Sequence, residues 1–371
     1  MWYVYDLTNE IGYIDNDENN DDSNDKQDTD FGLYDENLSF KTMYDVTMAD
    51  SYDEYLVEWS QNGGEVVHSR NVTNVLLLGE DGDATETQNG RSDCIMLVSI
   101  NRQTKKITLT SIMRDSYCAY DVQGQTQYGK INEPNFYAGY AGLIKTIESY
   151  YKIDIDYYLS VNFNSFPKLV DALGGVNVPI QQYEAEYINE TTTAIDKVTY
   201  GDSVKIDGDQ ALVFCRIRHC DTDSDVSRTR RQRSLIKAII ESTKSATTGQ
   251  LLNAVKQVAP YIKTNMNQST MIRFGTAALM QKWISYEMSQ VTMPDEETRI
   301  DATINGQSCW VIDYPKSAQK VQQNIYGITN IVLASDRYSL EELLSMADGG
   351  GYYDPYYDED YDDYYYDDYY W

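Results

Sequence analysis

The sequence predicts an α/β protein: an αβα sandwich with a central mixed β-sheet flanked by helices, carrying disordered acidic segments at both ends. Three observations predict it. Short apolar runs of strand length alternate with longer stretches of helical period through the middle of the chain. Several of the strand-like runs end abruptly in Gly, Asp or Arg. The charge is uneven: of a net −29 over 371 residues, −15 falls in residues 1–70 and −9 in residues 348–371, leaving −5 for residues 71–347. Acidic ends of this kind are usually solvated and unstructured. The chain divides accordingly into an acidic tether and edge segment (1–70), a globular domain (71–335), and a C-terminal segment (336–371) that ends in a Tyr/Asp-rich tail.

The elements follow in order. Residues 14–37 are rich in Asp and Asn and read as a flexible tether; residues 38–70 carry scattered apolar positions suited to a strand or helix at the domain edge. Val72 to Leu78 is a short apolar run closed by Gly79, a buried strand. After a polar loop, Asp93 to Ile100 and Lys106 to Ile112 form two β-rich runs joined by a hairpin-like connection. Residues 135–151 read as a helix, Ile155 to Phe163 as a strand, and Ser165 to Leu173 as a helix stopped by Gly174-Gly175. Val176 to Ile180 is a strand. Helices are expected at Asp209 to Arg216, Arg228 to Ser245, 249–258, 268–284 and 316–326, with strands near 288–293 and 308–313.

Composition excludes several function classes. No run of about 18 apolar residues occurs, so no spanning helix is expected. The start, Met1-Trp2-Tyr3-Val4, lacks the basic and apolar regions of a signal peptide. The five cysteines form no CxxC pair and only His68 and His219 supply imidazoles, which argues against structural zinc and against a His-based triad. The acidic balance argues against nucleic acid as a partner. The remaining chemistry belongs to carboxylates, arginines or a metal.

Four clusters carry it. Gly79-Glu80-Asp81-Gly82-Asp83 lies at the exit of a buried strand, the edge where α/β sheets place ligands. Arg91-Ser92-Asp93 leads into the next strand, and Met113-Arg114-Asp115 leaves the one after. If those strands are neighbours, Asp81, Arg91, Asp93 and Arg114 converge. Carboxylates beside arginines suit a Mg²⁺–phosphate site: acids hold the metal and guanidiniums fork onto phosphate oxygens. The fourth cluster comprises Arg216, Arg218, Arg228, Arg231 and Gln232. The last three are spaced i, i+3, i+4 on one helix face near its N-terminus, where free N–H groups favour anions.

The ordered set resembles the LytR-CpsA-Psr family. The matching stretches are Asn74-Val75-Leu76-Leu77-Leu78-Gly79-x-Asp81, Arg91-Ser92-Asp93, Ser111-Ile112-x-Arg114-Asp115, Lys130-Ile131-Asn132, Leu169 to Val176, Asp207-Gly208-x-Gln210-Ala211-Leu212, Arg216-x-Arg218-His219 and Arg228-x-x-Arg231-Gln232. The resemblance implies a Mg²⁺- (or Mn²⁺-) dependent phosphotransferase. Such an enzyme moves a glycopolymer (teichoic acid, capsule or another wall polysaccharide) from a polyprenyl-pyrophosphate carrier to peptidoglycan. It implies the extracytoplasmic face of a Gram-positive membrane, an anchor outside this chain, and an apolar tunnel for the isoprenoid. It assigns Asp81 and Asp93 to the metal, with Asp83 as a further candidate. It assigns Arg91, Arg114, Arg216, Arg218, Arg228 and Gln232 to the pyrophosphate, with Arg231 and Lys130 in support. Arg114 and Arg228 would stabilise the reacting charge, and Asp93 and Asp115 are both candidates for the base. The chain departs from the family pattern at Asp83, where Arg is usual, at Cys94, where Thr is usual, and at Met113, where Pro is usual. The loss of a positive charge at position 83 motivates an alternative: a non-catalytic binder of polyprenyl (pyro)phosphate in envelope assembly.

Overall fold

Among the described residues the main sheet has seven strands: a two-residue edge strand, Gly12–Tyr13, and β1 (Val72–Glu80), β2 (Ser92–Asn101), β3 (Lys106–Ile112), β4 (Tyr157–Asn162), β5 (Ile262–Thr264) and β6 (Glu287–Met293). The structure, a computed structural model, describes residues 12–13, 43–44, 49, 51–80, 90, 92–162, 166–193, 196–217, 224–244, 246–327, 332–333 and 338–347. The acidic stretches expected to be disordered, 14–37 and 349–371, lie outside the described residues. From edge to edge the sheet reads Gly12–Tyr13, β5, β4, β1, β2, β3, β6. β1 is antiparallel to β2 and parallel to β4, while β3 is antiparallel to β2 and parallel to β6. The sheet is therefore mixed, as expected. β1 ends, β2 begins and β3 ends on one and the same edge.

β1 is apolar on both faces because both are covered, the pattern of a central strand. Leu76 and Leu78, with Ile95, Leu97 and Ile112, face one layer of helices: α1 (Tyr52–Asn62), α2 (Glu133–Tyr151) and, near the C-terminus, the helix Tyr314–Tyr326. Leu77, Met96, Val98, Ile100 and Leu109 face the other. That second layer comprises α3 (Phe166–Ala172), α4 (Gly208–Arg216), α5 (Ser224–Thr243), α6 (Thr248–Val258) and α7 (Gln268–Met280). Alternation along β1 and β2 thus sorts the core into two halves. A third cluster, with Val176, Val178, Ile206 and Phe214, packs a two-stranded ribbon (Val176–Ile180 with Gly201–Ile206) under α4.

Two parts of the fold differ from the sequence expectation. The segment before Asn71 contributes to the core rather than only to its edge: α1 buries Tyr52, Tyr55, Leu56 and Trp59, spaced as one helical stripe. Ser51 caps it by accepting from the Glu54 N–H at 3.2 Å, and the Trp59 indole donates to the Tyr150 carbonyl at 3.0 Å. The helix Leu340–Met346 also packs inward through Leu343, so the segment after residue 335 is partly core. The hairpins 117–130 and 299–312 have no expected counterpart beyond the strand near 308–313. The strand Gln125–Lys130 is mostly polar and exposed, so it shows no hydrophobic period to read.

Lys152 closes α1 against α2. Its ammonium donates to the carbonyls of Trp59 and Ser60 at 2.8 and 3.1 Å, at the C-terminal end of α1, where a cation opposes the helix dipole. It is 2% exposed, and burial pulls its pKa down to about 8 from the usual lysine range. Between about pH 8 and the ordinary value near 10.5 the folded chain loses a proton that the unfolded chain keeps, so this group makes stability rise with pH. Urea unfolding at pH 8 and pH 9.5 is expected to show that rise, and Lys152→Met to flatten it; an unchanged slope in the variant contradicts the assignment.

Candidate active site

The shared edge of β1, β2 and β3 gathers the charged motifs. Cys94 pairs with Gly79 and Ser92 with Glu80, so the register slips at Asp93, which stands as an extra residue in β2. A bulge of this kind locally redirects the side chain and is common beside active sites. Arg114, two residues beyond β3, donates from Nη1 to Asp93 Oδ1 at 2.8 Å. Its Nε lies 3.4 Å from Asp115 Oδ2, and Lys130 Nζ lies 2.8 Å from Asp115 Oδ1. The result is a chain of alternating charge, Asp93–Arg114–Asp115–Lys130, whose members are 16 to 26% exposed. The turn that carries it is fixed from below: the Trp310 N–H donates to the Asp115 carbonyl at 2.9 Å, and the Ile131 N–H to the Ser116 carbonyl at 2.8 Å.

The start of α5 closes over this edge. The Thr229 hydroxyl touches Met113 Sδ at 3.6 Å, next in sequence to Arg114. Arg228, 2% exposed, lies near enough to Cys94 to act on it electrostatically. Arg231 has another role. Its Nε donates to Glu184 Oε1 at 2.7 Å and its Nη1 to the Ile217 carbonyl at 2.8 Å, with both side chains 1% exposed. Glu184 also accepts from Arg230 at 3.2 Å, while its other oxygen caps its own helix through the Gln181 N–H at 2.8 Å. Arg231 therefore fastens α5 to the helix Gln182–Thr191 and to the segment leading toward Arg218. Arg231, expected as a supporting anion ligand, is thus placed in a buried structural pair. Arg216 is exposed at the end of α4, next in sequence to the cavity-lining Cys215.

Behind the charged edge, between sheet and helices, lies a cavity of about 470 Å³. Leu77, Gly79, Cys94, Met96 and Val98 form its floor, and Leu159 and Val161 extend it along β4. Leu169, Leu173, Val255, Val258 and Phe274 close the sides. α5 supplies the roof with Gln232, Leu235, Ile236, Ile239 and Ile240. The lining is almost wholly apolar, and its volume falls in the range of about 300–1,000 Å³ usual for ligand pockets. Burial pushes the Cys94 and Cys215 thiols up to about 12, so both are neutral wall residues and not nucleophiles.

The edge thus brings together Asp93, Arg114, Asp115, Lys130, Arg228 and Gln232 among the expected residues, with Arg216 beside them; Asp81, Asp83, Arg91 and Arg218 lie outside the described residues. For a cation, the described part of this edge offers the Asp93 and Asp115 carboxylates and a neutral thiol. Hard oxygen donors suit Mg²⁺ or Mn²⁺ better than a thiophilic metal. Sequence reasoning passed over Asn135, which donates to the buried Glu80 at 3.3 Å and to the Gly90 carbonyl at 2.8 Å, tying both of these residues to α2. It also passed over Glu184, whose capping-box spacing from Gln181 was the available signal.

The LytR_cpsA_psr family model matches residues 36–325. The chain belongs to the LytR-CpsA-Psr family. Among its relatives is the polyisoprenyl-teichoic acid–peptidoglycan teichoic acid transferase TagU of Enterococcus faecalis, 31% identical over 210 residues, which are 56% of this chain and 66% of that protein. The match thus spans just under two thirds of the relative's length. A solved structure of TagT bound to LI-WTA is 26% identical with a TM-score of 0.54, covering 70% of this chain and 92% of that one. TagT with bound octaprenyl pyrophosphate lipid, 24% identical with a TM-score of 0.52 and covering 70% and 91%, shares the LytR-CpsA-Psr fold.

Glu184 is buried and receives the equally buried Arg231 as well as the half-exposed Arg230, so its loss strands the Arg231 charge. Glu184→Ala is expected to destabilise the protein by about 3–5 kcal/mol in chemical denaturation, and a change within error of zero contradicts the structural role given to Arg231.

Proposed function

We propose that the protein transfers a glycopolymer from a polyprenyl-pyrophosphate carrier to peptidoglycan, on the extracytoplasmic face of a Gram-positive cell. One observation carries the reading: the lining of an apolar cavity reaches Gly79, Cys94 and Gln232, beside a cluster of arginines and carboxylates. A ligand matching both halves is an amphiphile with a long hydrocarbon tail and a compact polyanionic head. The carrier has that form, and the family relatives named as teichoic acid transferases support its use here.

The residues divide the work by position. The cavity takes the prenyl chain and excludes water. Arg114, Arg228, Gln232 and Lys130, with Arg91, Arg216 and Arg218, grip the pyrophosphate. Fixed donors of this kind stabilise charge that grows on the phosphoryl oxygens during transfer. Asp93, with Asp81 and Asp83, would hold Mg²⁺ or Mn²⁺, which when bound neutralises further phosphate charge. An acceptor hydroxyl, expected on a muramic-acid sugar, attacks the phosphorus that bears the glycopolymer. The bond from that phosphorus to the bridging oxygen breaks, polyprenyl phosphate leaves, and the hydroxyl proton passes to Asp93 or Asp115, the two carboxylates that touch Arg114.

Asp83 supports a second reading, in which the site binds the lipid without turnover. The two separate in one assay. Purified protein given lipid-linked glycopolymer and peptidoglycan is expected to release polyprenyl phosphate only with a divalent metal. Arg114→Ala and Asp93→Ala are expected to slow release by about 10²-fold or more. Tight lipid binding with no release selects the second reading, and full activity in both variants contradicts the transferase assignment.

A further inference from the structure

α5 carries four arginines in its first turns, and Arg233 is the one without a role above. Arg230 and Arg231 meet Glu184. Arg233 is 8% exposed, and among the described residues its Nε and Nη1 have no hydrogen-bond partner. Thr229, one turn earlier on the same helix face, touches Met113, so the buried Arg233 stands on the face of α5 turned toward the end of β3. Ser111 stands there. It pairs with Met96, and paired residues share a face; Met96 lines the cavity, so Ser111 faces the same side. Ser111 is 2% exposed, and its Oγ has no partner.

The electrostatics agree with the geometry. Burial pushes the Arg233 guanidinium down to about 10, and the Arg230 charge adds to the shift; the Cys94 thiol, its other electrostatic neighbour, is neutral. A buried cation with unmet donors is costly, and buried polar groups are nearly always satisfied. Here two guanidinium nitrogens and a hydroxyl lack partners among the described residues, on the sheet face that carries the cavity, and the guanidinium lies beside Gln232 in sequence and within electrostatic reach of Cys94, both of which line it. An anion meets both needs.

We propose that Arg233 and Ser111 form a buried anion subsite at the head of the cavity, taking phosphate oxygens of a prenyl pyrophosphate. The choice of ligand rests on the function proposed above. The subsite adds two donor side chains to those of the charged edge and holds the head group from the cavity side. It also accounts for the retention of a destabilising charge inside the domain: the cost to the free protein is recovered when the ligand binds.

Thermal unfolding and binding titrations test this with geranylgeranyl pyrophosphate, inorganic pyrophosphate and geranylgeraniol as probes. The wild type is expected to be stabilised by the prenyl pyrophosphate. Arg233→Met removes an unmatched buried charge, so the free variant is expected to melt higher than the wild type. Its Kd for geranylgeranyl pyrophosphate is expected to rise about tenfold or more, with geranylgeraniol bound as before. Ser111→Ala, a one-atom deletion, is expected to weaken binding about threefold or more and keeps the question answerable if Arg233→Met does not fold. A wild type that responds while both variants bind equally well overturns the subsite alone. A wild type stabilised by inorganic but not prenyl pyrophosphate shows a free-anion site and overturns the subsite as stated. No response to either pyrophosphate overturns both this subsite and the proposed function.

Discussion

Arg114 is the residue on which the site depends. It joins Asp93 from the start of β2 to Asp115 from the turn after β3, and through Asp115 it reaches Lys130 at the end of the 117–130 hairpin. These contacts exist because β1, β2 and β3 are neighbours in the order that brings two strand ends and one strand start to a single edge. The bulge at Asp93 then sets the carboxylate within reach of the guanidinium. Two acids and two bases partly shielded from water form a neutral set in a low-dielectric setting, where each charge acts more strongly than it would at the surface. A bound polyanion therefore meets oriented donors without facing a large net charge.

The second requirement is the abrupt change of polarity along α5. Arg228 and Gln232 belong to the polar head, and Leu235, Ile236, Ile239 and Ile240 line the cavity. At 1.5 Å per residue the twelve steps from Arg228 to Ile240 span about 18 Å, enough for one helix to carry both the head-group and the chain-binding surfaces. The same helix is fastened by the buried Glu184–Arg231 pair, whose role is to hold the polar end in place.

Much of this was legible in the sequence, for physical reasons that also set the limits. The strand exits at Gly79, Asp93 and Arg114 were readable because an apolar run ending in Gly or charge is a local signal. Their convergence required only that the strands be neighbours. The spacing of Arg228, Arg231 and Gln232 gave a shared helix face but not depth. The partner of Arg231 stands 47 residues away, so its structural role left no mark near it. The cavity was legible only through the family resemblance, since its walls come from the sheet and five helices. α1 was undervalued because its aromatic stripe sits among acidic residues that lower the average hydropathy while leaving the buried face intact.

The central claim is that the apolar cavity and the Arg114 edge bind one amphiphile together. A crystal structure of the protein with geranylgeranyl pyrophosphate tests it most directly. The account predicts density for the prenyl chain along Leu235, Ile236 and Ile239, with the diphosphate against Arg114 and Arg228. A chain bound elsewhere, or a diphosphate away from both arginines, contradicts it.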